Sequence, residues 1–506
     1  MDYWRRSGGT APHFRNHRPD NPVAHVDLGV WRMDHFWSAG EPEISLPARS
    51  RLGLRDEKGP NISLEGSTLS WRPGFCHRFT NPKGLILRIL HLHTIGAFGG
   101  ASRSLFEALR ALPLGIVQSH FVTQKGTVVP FFSQIGPVIA ARGISQFDHT
   151  RYGRYRRLRW LVLLREIAFL PATVLALLRA RKAWGDVDLI HANEVTAIVP
   201  LLLARWLFRA PVIVHVRSVM QKDGRGLRSA LLRRLLDSAA AVVAIDETVR
   251  ASLPAVLDVD VVHNGFLPKV AEQTNAAIAA LPLRGSSFKV GFVGNLLRVK
   301  GVAELIEAAR QLQARAVDVE FILVGDDARP SKGLKARILK RLGLAQDMRA
   351  EIEAEIAAHD LGKNVHLVGF QSDIASVYRS FDVLCFPSHY DAPGRPIFEA
   401  AFSEVPSIVA LTAPLADTLV DGVTGIAIHP RDAGQLANAI ALLAEDRAYS
   451  ARLGIAAGEL ARSNFDISAN AQHLLAIYRR VLSSDQTGGS RKKGSEFAQS
   501  LPKRGR

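Results

Sequence analysis

Two successive series of short apolar runs, separated by stretches with helical periodicity, constrain the fold of this chain more than any other feature. The first series comprises Leu85–His91, Leu189–His191, Val212–Val216, Ala241–Ile245 and Val259–His263. The second comprises Lys289–Val293, Val319–Val324, Val365–Leu367, Val383–Phe386, Ser407–Ala410 and Gly425–Ile428. Strands that are apolar on both faces and alternate with helices are typical of parallel sheets covered on both sides. The pattern predicts an α/β protein with two doubly wound, Rossmann-like domains.

The break between the two series predicts the domain boundaries. We expect an N-terminal domain over residues 84–268, a linker over residues 269–288, a C-terminal domain over residues 289–465 and a closing helix over residues 466–483. The length of 506 residues suits two such domains. In doubly wound sheets ligands bind beyond the carboxyl ends of the strands, so the expected active site is the cleft between the domains.

The two ends of the chain lack this pattern. Residues 1–83 are rich in Arg, His, Pro and Gly and predict a poorly ordered basic extension, and residues 484–506 predict a disordered basic tail. The N-terminal residues lack the apolar stretch of a secretory signal. The two cysteines, Cys76 and Cys385, are far apart in sequence and predict no disulfide framework. We therefore expect a reducing, cytoplasmic compartment.

The charge balance favours an anionic partner. The formal net charge is +17, from 64 Lys and Arg against 47 Asp and Glu. Nucleic acid, anionic lipid and a phosphorylated substrate all remain open on charge alone. The sequence contains no helix-turn-helix, zinc or aromatic RNA-binding motif, so a basic nucleic-acid-binding protein is the least favoured of these classes.

One basic and apolar segment, Arg151–Trp184, has two interpretations. Its arginines at 151, 154, 156, 157 and 159 precede a strongly apolar helical pattern that Arg165, Glu166 and Pro171 interrupt. No charge-free run in it is long enough to span a bilayer. The segment is either an amphipathic helix lying in the interface of an anionic membrane or a half-buried domain helix with its arginines on the wet face.

Three loops carry the residue types that bind substrates. The first strand of the N-terminal half leads into Gly96, Gly99 and Gly100, where the backbone must turn tightly before a helix. In the C-terminal half, Arg298 and Lys300 precede Gly301 and a helix. This pair is either a diphosphate site or two solvated surface cations. A third loop carries a pair of carboxylates separated by seven residues, with a glycine between them: Asp391, Gly394 and Glu399.

These motifs resemble the family 4 glycosyltransferases, which are retaining enzymes of the GT-B fold. The family pattern G-R-L-x-x-x-K-G corresponds here to GNLLRVKG, and its E-x7-E pair corresponds to D-x7-E. VGD at Val324–Asp326, NVHLVGF at Asn364–Phe370 and HNG at His263–Gly265 are similar to further family landmarks. The resemblance extends over about residues 85–482.

The resemblance implies a donor site in the C-terminal domain. Lys300 would bind the donor diphosphate together with Arg298, and Asn295 stands where the family has a diphosphate arginine. Glu399 would bind the nucleotide ribose. Asp391 and the backbone amides around Gly394 and Arg395 would hold the transferred sugar, with a shorter first carboxylate than the family pattern has.

The acceptor side is expected on the N-terminal domain. By the same resemblance, the loop at Gly99 and Gly100 would face the acceptor and the donor phosphate, and either His215 or Arg217 would meet the sugar or the acceptor. A further strand end carries polar residues that are expected to face the same cleft: His191, Asn193 and Glu194. A structural role is the alternative for each of these histidines.

The reaction expected from the resemblance is transfer of a sugar from a nucleotide-sugar to an acceptor hydroxyl with retention, in cell-surface glycan or glycolipid synthesis. No residue is a convincing covalent nucleophile, so departure and attack are expected on one face of the sugar. We expect no cofactor or metal, because cations neutralise the leaving group and because Asp186–Asp188 and Asp258–Asp260 precede their strands on the side away from the cleft. A nucleotide-sugar epimerase of the same fold is the nearest alternative.

Overall fold

A computed structural model describes residues 86–147, 150–151, 159–221, 227–268, 275–326 and 347–498. The predicted N-terminal extension therefore lies outside the described residues, as do the first part of the predicted linker and residues 499–506. Arg154, Arg156 and Arg157 of the basic cluster also lie outside them.

The N-terminal domain is built on a seven-stranded sheet in the order β3-β2-β1-β4-β5-β6-β7. All its neighbouring strands pair in parallel. The strands are β1 (Leu87–His93), β2 (Val117–Gln124), β3 (Val138–Ala141), β4 (Leu189–Ala192), β5 (Val212–Val216), β6 (Ala241–Ala244) and β7 (Val259–Val261). Because the order reverses beside β1, the chain is wound outward in both directions from that strand.

Six helices connect these strands, with a short 3-10 turn at Val195–Ala197 before the fourth. They are α1 (Gly100–Arg110), α2 (Val129–Phe132), α3 (Arg159–Trp184), α4 (Ile198–Phe208), α5 (Leu227–Asp237) and α6 (Glu247–Ala251). Leucine and alanine side chains of α3 and α4 are buried in the same cluster as β1, β4 and β5. The segment Arg151–Trp184 therefore contributes a helix that packs on its own domain along one face.

The C-terminal domain repeats the design with six parallel strands in the order β10-β9-β8-β11-β12-β13. The strands are β8 (Phe288–Val293), β9 (Val319–Val324), β10 (Val365–Gly369), β11 (Val383–Phe386), β12 (Ser407–Ala410) and β13 (Gly425–Ile428). The helices are α7 (Ala276–Ala279), α8 (Val302–Ala314), α9 (Met348–Ala358), α10 (Ile374–Tyr378), α11 (Arg395–Ala401), α12 (Ala433–Glu445) and α13 (Arg447–Asn464). Both halves are doubly wound α/β domains, which confirms the predicted fold class.

The last helix, α14 (Ile467–Ala498), joins the C-terminal end of the chain to the N-terminal domain. Its residues Leu474, Leu475, Tyr478 and Val481 are buried with side chains of β1, β2 and α1. The helix extends to Ala498, so it includes the first part of the range predicted as a basic tail. The disorder of that tail stays a prediction.

Two strands were missed by the sequence pattern. In β2, Ser119, His120 and Thr123 are buried, so its sequence does not read as an apolar run. The edge strand β3 has only four residues and is mostly half-buried. The first predicted strand, Leu85–His91, lies two residues further along, at Leu87–His93.

None of the helices in the described ranges combines the length and the apolar character that crossing a bilayer requires. Helix α3 has 26 residues, but Pro171 lies inside it.

Candidate active site

The first loop of the C-terminal domain is fixed by a glycine. Gly301 has φ +77°, and a Cβ atom there would lie 1.9 Å from the carbonyl oxygen of Pro387. Only glycine fits this left-handed conformation and this close approach. Gly301 ends the 3-10 turn Arg298–Lys300 and begins α8, so it holds Lys300 at the carboxyl end of β8.

The Lys300 ammonium lies between two aromatic rings. Its Nζ is 5.3 Å from the ring centroid of Phe386 and 5.9 Å from that of Tyr390. Burial lowers the pKa of Lys300, because the charged form loses water. The described residues provide neither a carboxylate nor a hydrogen-bond acceptor for this ammonium. A desolvated cation in this position is suited to receive an anion.

The loop after β11 is tied to the loop of Lys300. The amide of His389 donates to the carbonyl of Val299 at 2.9 Å, and His389 Nε2 lies 2.8 Å from Glu304 Oε1. Asp391 Oδ1 accepts a hydrogen bond from the amide of Thr412 at 2.8 Å. A Cβ atom on Gly394 would lie 2.4 Å from the Phe386 ring, so the chain passes close to that ring.

Four side chains of alternating charge link the two domains. The guanidinium of Arg395 donates to Glu399 Oε1 at 2.9 Å within its own helix, and to Ser104 Oγ and Glu107 Oε2 of α1, both at 2.8 Å. Arg103 donates to Glu107 at 2.7 Å and lies 3.8 Å from Glu399. This arrangement joins the carboxyl edge of the C-terminal domain to the first helix of the N-terminal domain.

Glu399 is enclosed by this network. Its side chain is 4% exposed, and its second oxygen, Oε2, accepts a hydrogen bond from the Tyr378 hydroxyl at 3.0 Å. Burial, followed by the neighbouring carboxylate of Glu399, raises the pKa of Tyr378 well above its ordinary value, so the hydroxyl remains a donor.

Arg217 is the central cation of the N-terminal side. Its guanidinium donates to Asn193 Oδ1 at 2.7 Å, to Asn264 Oδ1 at 2.8 Å and to His215 Nδ1 at 3.3 Å. Burial lowers the pKa of Arg217 to about 10, and the nearby Glu194 partly opposes this shift. Burial also lowers the pKa of His215 well below its ordinary value, so the imidazole is neutral. These residues form a pre-arranged polar surface at the ends of β4 and β5.

A pocket lies between the two halves of the site. Its lining includes residues from the ends of β6 and β7, from the loop before α11, and from the C-terminal region: Asp246, Asn264, Gly394, Arg395, Thr418 and Phe465. Burial raises the pKa of Asp246 to about 6, and its Oδ1 accepts from the amide of Val249 at 2.7 Å.

The predicted residues are only partly brought together. Gly100 lies near Arg395, since a Cβ atom there would be 4.0 Å from Arg395 Cδ. By contrast, Arg298 donates to Glu351 of α9 at 2.6 Å, so that cation already has a partner. Asn295 is exposed. Asp186 and Asp188 precede β4 as predicted, and Asp186 contacts Arg181. Asp260, by contrast, lies inside β7, which corrects the prediction that it precedes its strand, and it contacts Arg480.

Sequence reasoning missed several members of this site. Arg103, Glu107 and Tyr378 had no motif of their own, although Arg103 and Glu107 are four residues apart on the helix that follows the glycine loop. Asn264 was inside the HNG landmark but received no role. Their positions depend on contacts between the domains, which a local pattern does not contain.

Comparisons with known proteins cover both domains. The model for Glycosyltransferase Family 4 matches residues 98–268, and the model for Glycosyl transferases group 1 matches residues 273–459. The D-inositol 3-phosphate glycosyltransferase of Kribbella flavida is 26% identical over 411 residues, which are 76% of this chain and 91% of that protein. The 2-deoxystreptamine glucosyltransferase of Streptomyces kanamyceticus is 25% identical over 344 residues, covering 63% and 84%.

A shorter match concerns the alpha-D-kanosaminyltransferase of Streptomyces kanamyceticus. It is 28% identical over 193 residues, which are 38% of this chain, and the chain spans only 45% of the length of that relative. Among solved structures, HepE of Anabaena in complex with UDP has a TM-score of 0.61 at 23% identity, covering 78% of this chain and 100% of HepE. Sucrose-phosphate synthase of Thermosynechococcus elongatus has a TM-score of 0.57 at 21% identity, covering 78% and 100%.

The two doubly wound domains and these structural neighbours define a GT-B protein with a cleft between its domains. The two family models, which together extend over both domains, assign it further: the chain belongs to glycosyltransferase family 4.

Proposed function

We propose that this chain transfers a sugar from a nucleotide-sugar donor to an acceptor hydroxyl with retention of configuration, in the synthesis of a cell-surface glycan or glycolipid. The observation that carries the proposal is the Lys300 ammonium, which is desolvated between Phe386 and Tyr390 and has no anionic partner among the described residues. A donor diphosphate supplies the missing negative charge. HepE, whose fold this chain shares, has been solved with UDP and with UDP-glucose, which supports a nucleotide-sugar in this position.

In this proposal Glu399 binds the donor ribose. Each of its oxygens already accepts one hydrogen bond, from Arg395 and from Tyr378. An ionised carboxylate offers about four acceptor sites, so it can still receive ribose hydroxyls. Arg395 and Tyr378 then act as positioning residues, because they fix the carboxylate before the donor arrives. Asn295 is exposed in the loop between β8 and Lys300, and it is proposed as a further donor contact.

The transferred sugar is assigned to Asp391 and to the amides at Gly394 and Arg395. The acceptor oxygen forms a bond to the anomeric carbon while the bond from that carbon to the diphosphate breaks on the same face. The proton of the acceptor hydroxyl passes to the departing phosphate oxygen, which balances the step. Lys300 stabilises the charge that develops on the leaving group. Arg298 is a secondary contributor here, since reaching the diphosphate requires it to leave Glu351.

The acceptor side is assigned to the N-terminal domain. The loop at Gly99 and Gly100 and the pair His215 and Arg217 are proposed to hold the acceptor, with Asn193 and Asn264 orienting the Arg217 guanidinium. Because His215 is neutral, it can accept or donate a hydrogen bond to a hydroxyl without adding charge. No metal is part of the proposed mechanism, because Lys300 supplies the cationic charge.

The test begins with donor binding. Purified protein is screened against nucleotide sugars by thermal shift, and the donor that stabilises it is then used in a transfer assay. The Lys300→Ala variant is expected to lose the stabilisation, whereas Lys363→Ala, an exposed lysine of the same domain, keeps it. If donor is converted to an isomer in the absence of any acceptor, the protein is an epimerase and the proposal is wrong.

A further inference from the structure

The outer face of α3 is apolar and exposed. Along its length six large aliphatic side chains are between 37% and 57% exposed: Leu163, Leu164, Ile167, Leu170, Leu175 and Leu178. The opposite face is buried in the domain core through Ala176, Leu177 and Ala180. Isolated exposed leucines are ordinary on protein surfaces, but a continuous row along one helix marks an interaction surface.

Helix α4 packs against α3 and also exposes apolar side chains. It contributes Leu202, which is 41% exposed, and Trp206, which is 77% exposed. Tryptophan with its ring in the open is typical of residues that insert at the boundary between lipid headgroups and acyl chains. We call the outer faces of α3 and α4 together the α3–α4 surface.

The charges of the α3–α4 surface have one sign. Exposed cations lie on and beside the two helices: Arg179, Lys182, Arg205 and Arg209. The only carboxylate in the two helical sequences is Glu166, which is buried and whose side chain accepts from the amide of Gln146 and pairs with Arg165. Just beyond the end of α3, the exposed Asp186 pairs with Arg181. Two helices that are apolar and cationic and carry no exposed carboxylate of their own complement an anionic bilayer. A second copy of the same surface would bring cations against cations.

The position of α3 connects this surface to the acceptor side. Beside Glu166, the Ser145 hydroxyl donates to its carbonyl at 3.0 Å, and Gln146 Nε2 donates to the carbonyl of Thr94 at 2.7 Å. Thr94 follows β1 directly and begins the loop that leads to Gly99 and Gly100. The N-terminal half of α3 therefore lies at the carboxyl edge of its sheet, beside the acceptor loop.

We propose that the α3–α4 surface docks on an anionic lipid bilayer, with the leucines of α3 and Trp206 of α4 inserted at the level of the headgroups. The attachment is peripheral. It brings the acceptor loop to the membrane surface, and it does not depend on the donor assignment.

The test uses vesicles of phosphatidylcholine with and without phosphatidylglycerol in a co-sedimentation assay with the full chain. Binding is expected to phosphatidylglycerol vesicles at low salt and to weaken as salt screens the cations. The double variant Leu164→Ser/Ile167→Ser and the variant Trp206→Ser should each lower the binding constant roughly tenfold or more, because each removes inserted apolar area. The matched control is Leu442→Ser/Ile455→Ser on the C-terminal domain, where both residues are similarly exposed at 47% and 50%.

Each contrary result has a distinct meaning. Absence of binding to phosphatidylglycerol vesicles at low salt overturns the proposal, and so does an equal loss in the control variant. If sedimentation equilibrium shows a dimer that the Leu164→Ser/Ile167→Ser change converts to monomer, the occupant is a second copy and the proposal is wrong. The thermal shift with donor is measured on the same variants. If a variant loses vesicle binding but is still stabilised by donor, the proposed transfer is unaffected. If the protein binds vesicles but no donor stabilises it, the result counts against the proposed transfer and not against membrane docking.

Discussion

The two sheets of this protein share one winding pattern but differ in what they bury. The N-terminal sheet buries five histidines on its strands: His91, His93, His120, His191 and His215. The strands of the C-terminal sheet bury mainly Val, Ile, Leu and Phe, and their buried ionisable side chains in the described residues are His366, Glu320 and Cys385. The same doubly wound architecture therefore has a polar interior in one domain and a mainly apolar interior in the other.

The histidines form part of a connected polar layer. His91 and His191 face each other across β1 and β4, with ring centroids 5.3 Å apart, and His191 stacks on His215 at 5.4 Å. His191 Nδ1 lies 2.7 Å from the Tyr478 hydroxyl of α14, and the amide nitrogen of Asn193 donates to His93 Nδ1 at 3.1 Å. The layer leads through Asn193 to Arg217, which belongs to the proposed acceptor side.

The difference teaches where each domain keeps its polar groups. The C-terminal domain has a mainly apolar interior and carries the desolvated cation of Lys300 on a loop. The N-terminal domain carries polar groups within the sheet itself. Four of its buried histidines have one ring nitrogen hydrogen-bonded and the other without a partner among the described residues: His91, His93, His191 and His215. We therefore expect mutations and pH to affect stability mainly in the N-terminal domain and ligand binding mainly in the C-terminal domain.

The largest expected effect is acid destabilisation of the N-terminal domain. Burial, reinforced for His91 by His120 and for His93 by Arg217, lowers the pKa of both histidines from 6.5 to about 3. Between these pH values the unfolded chain binds protons that the native state does not, so the free energy of unfolding falls as pH falls. Each such histidine contributes about 1.4 kcal/mol per pH unit. Urea unfolding between pH 7 and pH 4.5 measures this slope.

Two spectroscopic signals distinguish unfolding of the N-terminal part from unfolding of the whole chain. All seven tryptophans precede residue 207, so their fluorescence reports the N-terminal part of the chain, whereas circular dichroism reports both domains. The His91→Phe change should reduce the acid slope, and His473→Phe, at an exposed position of α14, should leave it unchanged. The prediction is contradicted if fluorescence and circular dichroism are lost together on acidification. It is also contradicted if the unfolding free energy depends equally on pH in the native chain, the His91→Phe variant and the His473→Phe variant.

The next effect concerns the donor. Lys300→Ala and Glu399→Gln are each expected to lower the turnover number about 100- to 1000-fold, because each removes a proposed charged contact to the donor. Lys300→Ala should not lower the free energy of unfolding, since it removes a desolvated and unpartnered charge. Turnover at saturating donor and urea unfolding are measured on the same preparations, and near-normal turnover in either variant rejects its assignment.

A smaller effect is expected at Arg217, where substitution should lower stability and leave donor binding intact. Arg217→Met leaves the side-chain oxygens of Asn193 and Asn264 without their donor, so it should lower the free energy of unfolding by about 1–3 kcal/mol. Donor binding in the other domain should persist, as measured by thermal shift. If Arg217→Met is as stable as the native chain while donor binding is lost, the proposed division between the two sides fails.

The smallest expected effect is that of a chelator. Transfer should continue in EDTA, because the cation at the proposed diphosphate position is Lys300. Activity is compared before and after EDTA and after adding back Mn²⁺ or Mg²⁺. A loss that the added metal restores would contradict the prediction.

The sequence by itself determined most of the fold. Val212–Val216, Val319–Val324, Val383–Phe386, Ser407–Ala410 and Gly425–Ile428 were predicted with the bounds that the structure has. The first four of these strands are buried at every residue, and burial on both faces leaves a mainly apolar run in the sequence. The edge strand Gly425–Ile428 is half-buried at its two middle residues. The turn that contains Lys300 and Gly301 was also predicted, because a glycine before a helix is a signal in the local sequence.

Only the tertiary structure decided which polar residues have partners. β2 escaped prediction because its buried Ser119 depends on a neighbour in another strand, His91, at 3.1 Å. Arg298 and Lys300 look equivalent in the sequence, yet Glu351, which is 53 residues away, pairs with the first alone. Arg395 contacts Glu107 across 288 residues. Periodicity records which side chains avoid water, whereas an ion pair or a buried hydrogen bond depends on a second residue that folding brings within about 3 Å.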